Sequence, residues 1–217
     1  DESDSLIAGG RYHNKRDFMD FPNVGAKYLE FEKRKPHAYP VLANPSIMDV
    51  VRKRDVLLHF PYQSFNYVIR LLREAAIDPK VTSVKATLYR AAKNSQFINA
   101  LINAVRNGKK VTVVIELQAR FDEENNIRWT NRLQEEGVNV IYGVPGLKVH
   151  SKLILINRTE NGKKVRYAVV STGNFNENTA KLYCDYMLMT SQGELTDEVG
   201  KIFKFFKNNY KIPEYQH

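Results

Sequence analysis

The sequence predicts an α/β fold with a mixed β-sheet flanked by helices. Between residues 81 and 142, apolar segments alternate with amphipathic ones in the order β-α-β-α-β, and such a run forms parallel strands joined by helical crossovers. After residue 150, short apolar segments follow one another around the hairpin signal Asn161-Gly162. We therefore expect a parallel core with antiparallel hairpin strands beside it.

Each element is predicted from the spacing of its apolar residues and from the residues that end it. Helices are expected at 65–76 with Ser64 as N-cap, at 95–106 before Asn107-Gly108, at 122–136 before Gly137, and at 196–210. Strands are expected at 56–60, 81–88, 111–117, 138–142, 153–156, 165–170 and 185–190, with a short helical turn at 180–183.

Residues 1–45 differ from the rest of the chain. They contain Gly9-Gly10, four prolines and clustered charge, with little periodicity, and the regular pattern starts near Asp55. We expect residues 1–45 to be the end of an upstream segment and a linker, and residues 46–217 to form one domain. On this interpretation the chain is a fragment of a longer protein.

The composition favours a polyanionic partner. The chain has 217 residues, of which 43% are hydrophobic, and lysine plus arginine exceed aspartate plus glutamate by 33 to 24, giving a net charge of +9. Such a surplus suits nucleic acid, an anionic membrane or a phosphate-rich substrate, and a merely solvated surface is the alternative. No apolar run reaches the roughly 18–20 residues that span a bilayer. The one cysteine, Cys184, fits a reducing cytosol.

The first candidate site is the pair His150 and Lys152, which stands before the apolar run 153–156. Side chains alternate along a strand, so both should point to the same face. An imidazole beside an ammonium group can attack and hold an anionic group. The alternative is a buried strand that happens to begin with polar residues.

A second feature is an arginine after each of two consecutive strands. Arg90 and Arg120 both follow the carboxyl end of a strand, where parallel sheets bind ligands. Two guanidinium groups at one sheet edge suit phosphate, since each can pair with two oxygens. The alternative is a pair of surface arginines bonded to Asp122 or Glu123.

A third feature is the polar run from Ser171 to Thr179, which is rich in small and amide residues. Free backbone N–H groups at such a turn can bind an anion. Ordinary helix capping by Asn174 or Asn176 is the alternative, and both could hold.

These motifs resemble a known family. His150-x-Lys152, followed by Gly173-Asn174-x-Asn176, resembles one half-site of the phospholipase D superfamily, although Asn157 stands where that pattern often has an aspartate. A larger set of sequence segments is similar to polyphosphate kinases of the long-chain-synthesising type. It comprises Arg11-Tyr12-His13-Asn14, Phe21-Pro22-Asn23, Tyr89-Arg90, Leu117-Gln118-Ala119-Arg120-Phe121-Asp122-Glu123-Glu124, Gly146-Leu147-Lys148-Val149-His150-Ser151-Lys152 and Thr172-Gly173-Asn174-Phe175-Asn176-Glu177.

The resemblance implies reversible transfer of the γ-phosphoryl group of ATP to polyphosphate, with Mg²⁺, through a phosphohistidine at His150. It implies that Lys152 assists catalysis. The family's magnesium-associated positions fall at Arg90 and Arg120, but a guanidinium cannot ligate a cation, so we expect phosphate contacts beside the metal. Tyr183 matches a tyrosine of the family's ATP site, with a core aromatic as the alternative.

The resemblance also implies phosphate contacts around Asn174 and Asn176, and ATP, ADP and polyphosphate as partners rather than nucleic acid. The full-length enzyme is expected to be a cytoplasmic homo-oligomer, with a peripheral position at the membrane left open.

One part of the superfamily pattern is missing from this chain. Superfamily sites combine two H-x-K halves. Of the five histidines, His13 and His150 each head an H-x-K, but His13 lies in the predicted linker and only His150 stands before an apolar run. We therefore expect the first catalytic domain, a phospholipase D-like half, with little or no activity alone. Two other functions stay open. One is a phosphodiesterase or nuclease half that acts as a homodimer, and the other is a polyanion-binding module without catalysis.

Overall fold

The structure, a computed structural model, describes residues 18, 21–25, 27–29, 32, 35–43, 45–116, 123–210 and 212–216. The chain divides into two compact units, Asp1–Lys35 and Pro36–His217. In the first unit, the described residues include a 3-10 turn at Lys27–Leu29. The second unit contains all the elements that follow. The predicted boundary after residue 45 stays a prediction.

The described part of the second unit contains five α-helices, seven strands and two 3-10 turns. The helices are α1 (Ile47–Lys53), α2 (Asn66–Ile77), α3 (Gln96–Arg106), α4 (Glu123–Glu135) and α5 (Gly193–Lys207). The strands are β1 (Val56–Phe60), β2 (Val81–Leu88), β3 (Lys110–Ile115), β4 (Asn139–Tyr142), β5 (Lys152–Glu160), β6 (Lys163–Ser171) and β7 (Asp185–Thr190). The 3-10 turns are Pro40–Ala43 and Thr179–Lys181.

Among the described residues the strands form a single sheet in the order β1-β7-β6-β5-β2-β3-β4. The β2, β3 and β4 strands are parallel, as the alternation of strands and helices predicts. The β5 strand lies antiparallel to β2 and to β6, and β7 joins β6 to β1, again antiparallel. The predicted mixed sheet, with a parallel core and antiparallel hairpin strands, is confirmed.

The sheet is buried on both faces near its centre, and β5 shows why its apolar run is continuous. Ile154 and Ile156 pack in the larger core with helices α1 to α4. Leu153 and Leu155 point to the other face, where they pack with residues of α5. A strand covered on both sides needs apolar residues at every position rather than at alternate ones.

The structure adds one helix to the predicted elements and shifts the ends of several others. Helix α1 was not predicted; Ser46 caps it by accepting from the Asp49 N–H at 3.0 Å, and the Glu74 carboxylate accepts from the Ile47 N–H at 2.7 Å. Helix α2 begins at Asn66, one residue later than predicted, and α5 begins at Gly193, three residues earlier. The shifts of α2 and α5 lie at helix ends, which are the least defined parts of a helix. The predicted cap at Ser64 is wrong, because Phe65 stands at the N-cap of α2 and its side chain makes no capping hydrogen bond.

Candidate functional site

His150 and Lys152 lie side by side where β5 begins. The Lys152 Nζ atom is 3.0 Å from His150 Nδ1 and also donates to the His150 carbonyl oxygen. Lys152 is the first residue of β5 and only 6% exposed, whereas the His150 side chain is exposed. A fixed, buried ammonium group therefore holds an imidazole that a substrate can reach.

Buried groups of the neighbouring strands hold this segment in place. The hydroxyl of Thr87, near the end of β2, donates to the Ser151 carbonyl at 2.7 Å and accepts from the Leu153 N–H at 2.9 Å. The Glu116 carboxylate, just after β3, accepts from the Val149 N–H at 2.9 Å. The backbone around His150 is thus bonded to the carboxyl ends of both parallel strands.

Tyr89 and Arg90 follow the carboxyl end of β2 and face the same place. The Tyr89 ring stands edge-on to His150, with centroids 5.0 Å apart. Three cationic groups lie over the Tyr89 ring, with Arg90 at 5.5 Å, Lys152 at 5.4 Å and Lys148 at 5.7 Å from its centroid. The site therefore gathers three positive charges around one imidazole.

This surrounding has a direct effect on protonation. Burial lowers the pKa of His150, and the positive charges of Lys152, Lys148 and Arg90 lower it further. Burial also lowers the pKa of Lys152; the charge of Asp185 acts in the opposite direction and that of Arg90 in the same one. A His150 pKa below its usual value of about 6.5 favours the neutral imidazole at neutral pH.

Helix α4 fixes the segment that carries Arg90. The Asn126 side chain is fully buried and donates to the carbonyls of Tyr89, at 2.9 Å, and Glu116, at 3.0 Å. Trp129 donates to the Ala92 carbonyl at 3.0 Å. Helix α4 therefore holds together the segments that follow β2 and β3. Arg120, the predicted partner of Arg90, lies outside the described residues, so the predicted arginine pair stays a prediction.

The segment after β6 approaches the site through a glycine. A side-chain carbon added at Gly173 would lie 2.8 Å from Asp185 Cβ and closer still to the Asp185 carboxylate. That carboxylate accepts from the Thr172 hydroxyl at 2.8 Å. A glycine is needed here because the Asp185 side chain, whose charge acts on Lys152, fills the space.

The amide and acidic residues of this segment have different partners. Asn174 Oδ1 is buried and has no hydrogen-bond partner among the described residues. Asn176 Oδ1 accepts from the N–H groups of Asn178, at 2.9 Å, and Thr179, at 3.2 Å, so this side chain caps the short 3-10 turn. The local capping considered for both residues thus applies to Asn176, while the oxygen of Asn174 is left for another donor.

Glu177 links the same segment to α3. Its carboxylate accepts from the Phe97 N–H at 2.8 Å and from the Ser95 hydroxyl at 3.1 Å. Phe175 stacks on Phe97 with centroids 5.0 Å apart and planes 8° apart. The turn that carries Gly173 and Asn174 is therefore attached to a helix N-terminus.

Tyr183 is 60% exposed, so the alternative of a core aromatic is wrong. It lies two residues before β7, close in sequence to Asp185. Its exposed ring is available to a ligand, and its predicted contact with ATP stays a prediction.

The donor set does not form a magnesium cage. No group of three or more histidine, cysteine, aspartate or glutamate side chains in the described ranges could hold a metal ion. Arg90 cannot ligate a cation. Separately, no helix in the described part of the chain is long and apolar enough to cross a membrane.

Four residues that support the candidate site were not predicted from the sequence. Thr87, Glu116, Asn126 and Asp185 bear on the site from four different elements, and none stands in a recognisable motif. The one available signal is Asn126, which shares the buried face of α4 with Thr130 and Leu133. A polar residue at an inward position of an amphipathic helix indicates a buried hydrogen bond.

Comparison with protein families gives one matching domain. Residues 46–212 match the family model described as polyphosphate kinase C-terminal domain 1. The polyphosphate kinase of Vibrio vulnificus strain YJ016 is 52% identical over 217 residues, which cover 99% of this chain and 31% of that protein. The polyphosphate kinase of Escherichia coli K12 is 52% identical over 212 residues, with 96% and 31% covered. The chain thus spans about a third of the length of these relatives.

Solved structures agree with both the fold and the family. The crystal structure of polyphosphate kinase from Porphyromonas gingivalis matches with a TM-score of 0.79 and 41% identity, covering 98% of this chain and 36% of that one. Nuc from Salmonella typhimurium, a phospholipase D family member, matches with a TM-score of 0.55 and 14% identity, covering 75% of this chain and 98% of that one. The second likeness shows the fold alone and confirms the predicted phospholipase D-like half.

Proposed function

Because the chain belongs to the polyphosphate kinase family, we propose that it is the segment of the enzyme in which His150 accepts the γ-phosphoryl group of ATP and passes it to polyphosphate. The observation that supports this most is the His150 imidazole, which a substrate can reach and whose pKa is lowered by its partial desolvation and by the cations around it. A neutral, accessible imidazole at neutral pH is a competent nucleophile.

The proposed chemistry has two half-reactions. In the first, the lone pair of an imidazole nitrogen forms an N–P bond to the γ-phosphorus as the bridging P–O bond breaks, and the electron pair leaves on ADP. In the second, a terminal oxygen of polyphosphate attacks the same phosphorus and the N–P bond breaks, which restores His150. Both steps are reversible, so the enzyme can also return phosphoryl groups to ADP.

Phosphoryl transfer asks a protein mainly for positioning and for neutralisation of the phosphate oxygens. Lys152 Nζ, 3.0 Å from His150 Nδ1, supplies a positive charge beside the ring that receives the phosphoryl group in this proposal. Arg90 and Lys148, 5.5 Å and 5.7 Å from the centroid of the Tyr89 ring, add positive charge near the same place. Asn174 and the N–H groups around it add further contacts in this proposal, and Arg120 keeps its predicted phosphate contact.

The proposal includes four further features of the full-length enzyme. A second H-x-K half, outside this chain, completes the site, and the full-length enzyme is a homo-oligomer. Tyr183 contacts the nucleotide. Mg²⁺ stays an expectation from the family, and it would be held mainly by the phosphate oxygens of the nucleotide.

The test is a labelling experiment in the full-length enzyme with ATP carrying a labelled γ-phosphoryl group. We expect an acid-labile, base-stable phosphoprotein in the unchanged enzyme and none after His150→Ala. Lys152→Ala should leave slow labelling and slow synthesis, because loss of one charge-stabilising donor typically costs roughly 10²–10³ in rate. His59→Gln serves as the matched control, since His59 stacks on Tyr186 with centroids 4.4 Å apart and belongs to β1.

The outcomes separate the candidate functions. Label retained in His150→Ala would place the nucleophile elsewhere and overturn the assignment. Cleavage of phosphodiesters without any labelling from ATP would instead support the phosphodiesterase half. Asn157 argues against the latter, because its side chain donates to Ser83 Oγ at 2.8 Å within the sheet rather than supplying the aspartate of that pattern.

A further inference from the structure

A second basic region lies at the opposite end of the sheet from His150. A groove of about 1130 Å³ is bounded by the start of β2 and β3, the far half of β5, the start of β6 and one side of α5. We call it the reverse groove. Its described lining contains the carboxylate Asp197 and seven cationic side chains, which are Lys85, Lys109, Lys110, Lys164, Arg166, Lys201 and Lys204.

The reverse groove is separate from the candidate catalytic site. Lys152 begins β5 beside His150, and Asn157, five residues further along the same strand, lines the groove. Five residues of strand span about 17 Å. A ligand in the groove would therefore lie away from the reacting histidine, on the same molecule.

Lys85 lies at the centre of this charge cluster. It is half-buried in the middle of β2, where it pairs with Leu155 of β5, and its Nζ lies 6.0 Å from the centroid of the Phe203 ring. No carboxylate of the described residues lies within ion-pair distance of it. Burial lowers its pKa, and the charges of Lys204, Lys207, Arg166 and Lys164 lower it further.

Such a lysine is costly for the fold. A partly buried cation without a carboxylate partner loses hydration and is repelled by its neighbours. The one carboxylate lining the groove, Asp197, is already paired with Arg166. A bound anionic ligand would offset both the lost hydration of Lys85 and the repulsion from its neighbours. A purely structural role for Lys85 would offset neither.

We propose that the reverse groove binds inorganic polyphosphate as an anchoring site distinct from His150, an inference that rests on the proposed function. A binding site for a chain of phosphates requires closely spaced cations and no side chains that recognise nucleic-acid bases. The groove lining has no aromatic side chain among the described residues, whereas proteins that bind single-stranded nucleic acid stack bases on aromatic rings. The lining therefore fits a phosphate polymer better than a nucleic acid.

The closing experiment measures binding of fluorescently labelled polyphosphate to the 217-residue chain by anisotropy at several salt concentrations. The groove variant is Lys110→Gln, Lys164→Gln and Lys204→Gln together, all exposed residues. We expect its affinity to fall at least tenfold. The slope of log K against log salt should fall by about 2, since each phosphate contact contributes roughly 0.7 for a single-stranded polyanion.

The control variant removes the same charge elsewhere, at the exposed residues Lys53, Arg54 and Arg132, each changed to Gln. It should bind within about twofold of the unchanged chain. An equal loss in both triple variants would mean a general charge effect and would overturn the proposal. Failure of the unchanged chain to bind, or displacement by single-stranded DNA at equal phosphate concentration, would overturn it too.

Lys85→Met gives an independent readout. If Lys85 serves an anion, its replacement by an apolar side chain of similar length should raise the melting temperature and lower polyphosphate affinity together. A lower melting temperature, or unchanged affinity, would contradict the proposal. Labelling of His150 from ATP is measured in parallel in the full-length enzyme with the same substitutions. Retained labelling with unchanged polyphosphate binding refutes the reverse groove alone, and lost labelling in the unchanged enzyme refutes the proposed function.

Discussion

Glu177 offers the most direct test of how the candidate site is supported. Its carboxylate accepts from the Phe97 N–H at 2.8 Å and the Ser95 hydroxyl at 3.1 Å, and so joins the segment after β6 to the N-terminus of α3. We predict that Glu177→Ala destabilises the chain by about 2–7 kcal/mol.

The magnitude follows from the groups left behind. Ser95 is fully buried, and its hydroxyl would lose its acceptor; the Phe97 N–H would lose its acceptor as well. A buried polar group left without a partner costs about 1–3 kcal/mol. Loss of a negative charge at a helix N-terminus adds about 0.3–1 kcal/mol. Glu177→Gln keeps one acceptor oxygen and should cost about 1 kcal/mol.

The measurement is urea unfolding of the 217-residue chain followed by circular dichroism. Glu135→Ala is the matched control, because Glu135 is an exposed glutamate whose ion pair with Arg132 spans 3.7 Å at the surface; it should change the unfolding free energy by less than about 0.5 kcal/mol. In a double-mutant cycle with Ser95→Ala, the two losses should be less than additive. A Glu177→Ala cost below about 0.5 kcal/mol would refute this account of the segment.

Three further predictions concern the site and its surroundings. Since burial and neighbouring cations lower the pKa of His150, labelling from ATP should decline only below about pH 6.5, and an NMR titration midpoint of the His150 ring at or above that value would contradict it. Gly173→Ala should cost about 1–3 kcal/mol in urea unfolding, because the new carbon would lie 2.8 Å from Asp185 Cβ; an unchanged midpoint would show that Asp185 can move aside freely. Burial raises the pKa of Glu160, but hydrogen bonds from Tyr167 and a neighbouring arginine outweigh it, so the net pKa is lowered and Glu160 contributes stability at neutral pH that is lost on acidification. Tyr167→Phe should therefore lower stability at pH 7 and reduce the difference between pH 7 and pH 3, and an undiminished difference would argue against this bond.

The regular elements were predictable because each leaves a local signal. The hairpin at Asn161-Gly162 is one example. Both residues have positive φ, 49° and 75°, as a two-residue turn that matches strand twist requires. Helix α1 shows the limit, since seven residues make barely two turns and its start is fixed by Glu74, far along the chain. A hydrogen bond between residues so far apart in the sequence leaves no local sequence pattern from which the helix could be predicted.

The candidate site also has one part that local sequence predicts and another part that it does not. The juxtaposition of His150 and Lys152 follows from their spacing, so the sequence was sufficient to propose it. Thr87 could be recognised only once β5 was known to lie beside β2. Strand order depends on the packing of the whole sheet. Residues that support the site from neighbouring strands therefore cannot be predicted from local sequence.

The position of β1 at the edge of the sheet has a consequence for how the molecule is made. Its partner in the sheet is β7, so that Val56 pairs with Met189. During synthesis at roughly 5–20 residues per second, β1 must wait on the order of ten seconds before its partner leaves the ribosome. A nascent chain that stops before β7 has an apolar strand with no place to pair. We therefore expect shortened translation products to be recognised by chaperones and proteases, and completed ones to fold as one cooperative unit from β1 to β7.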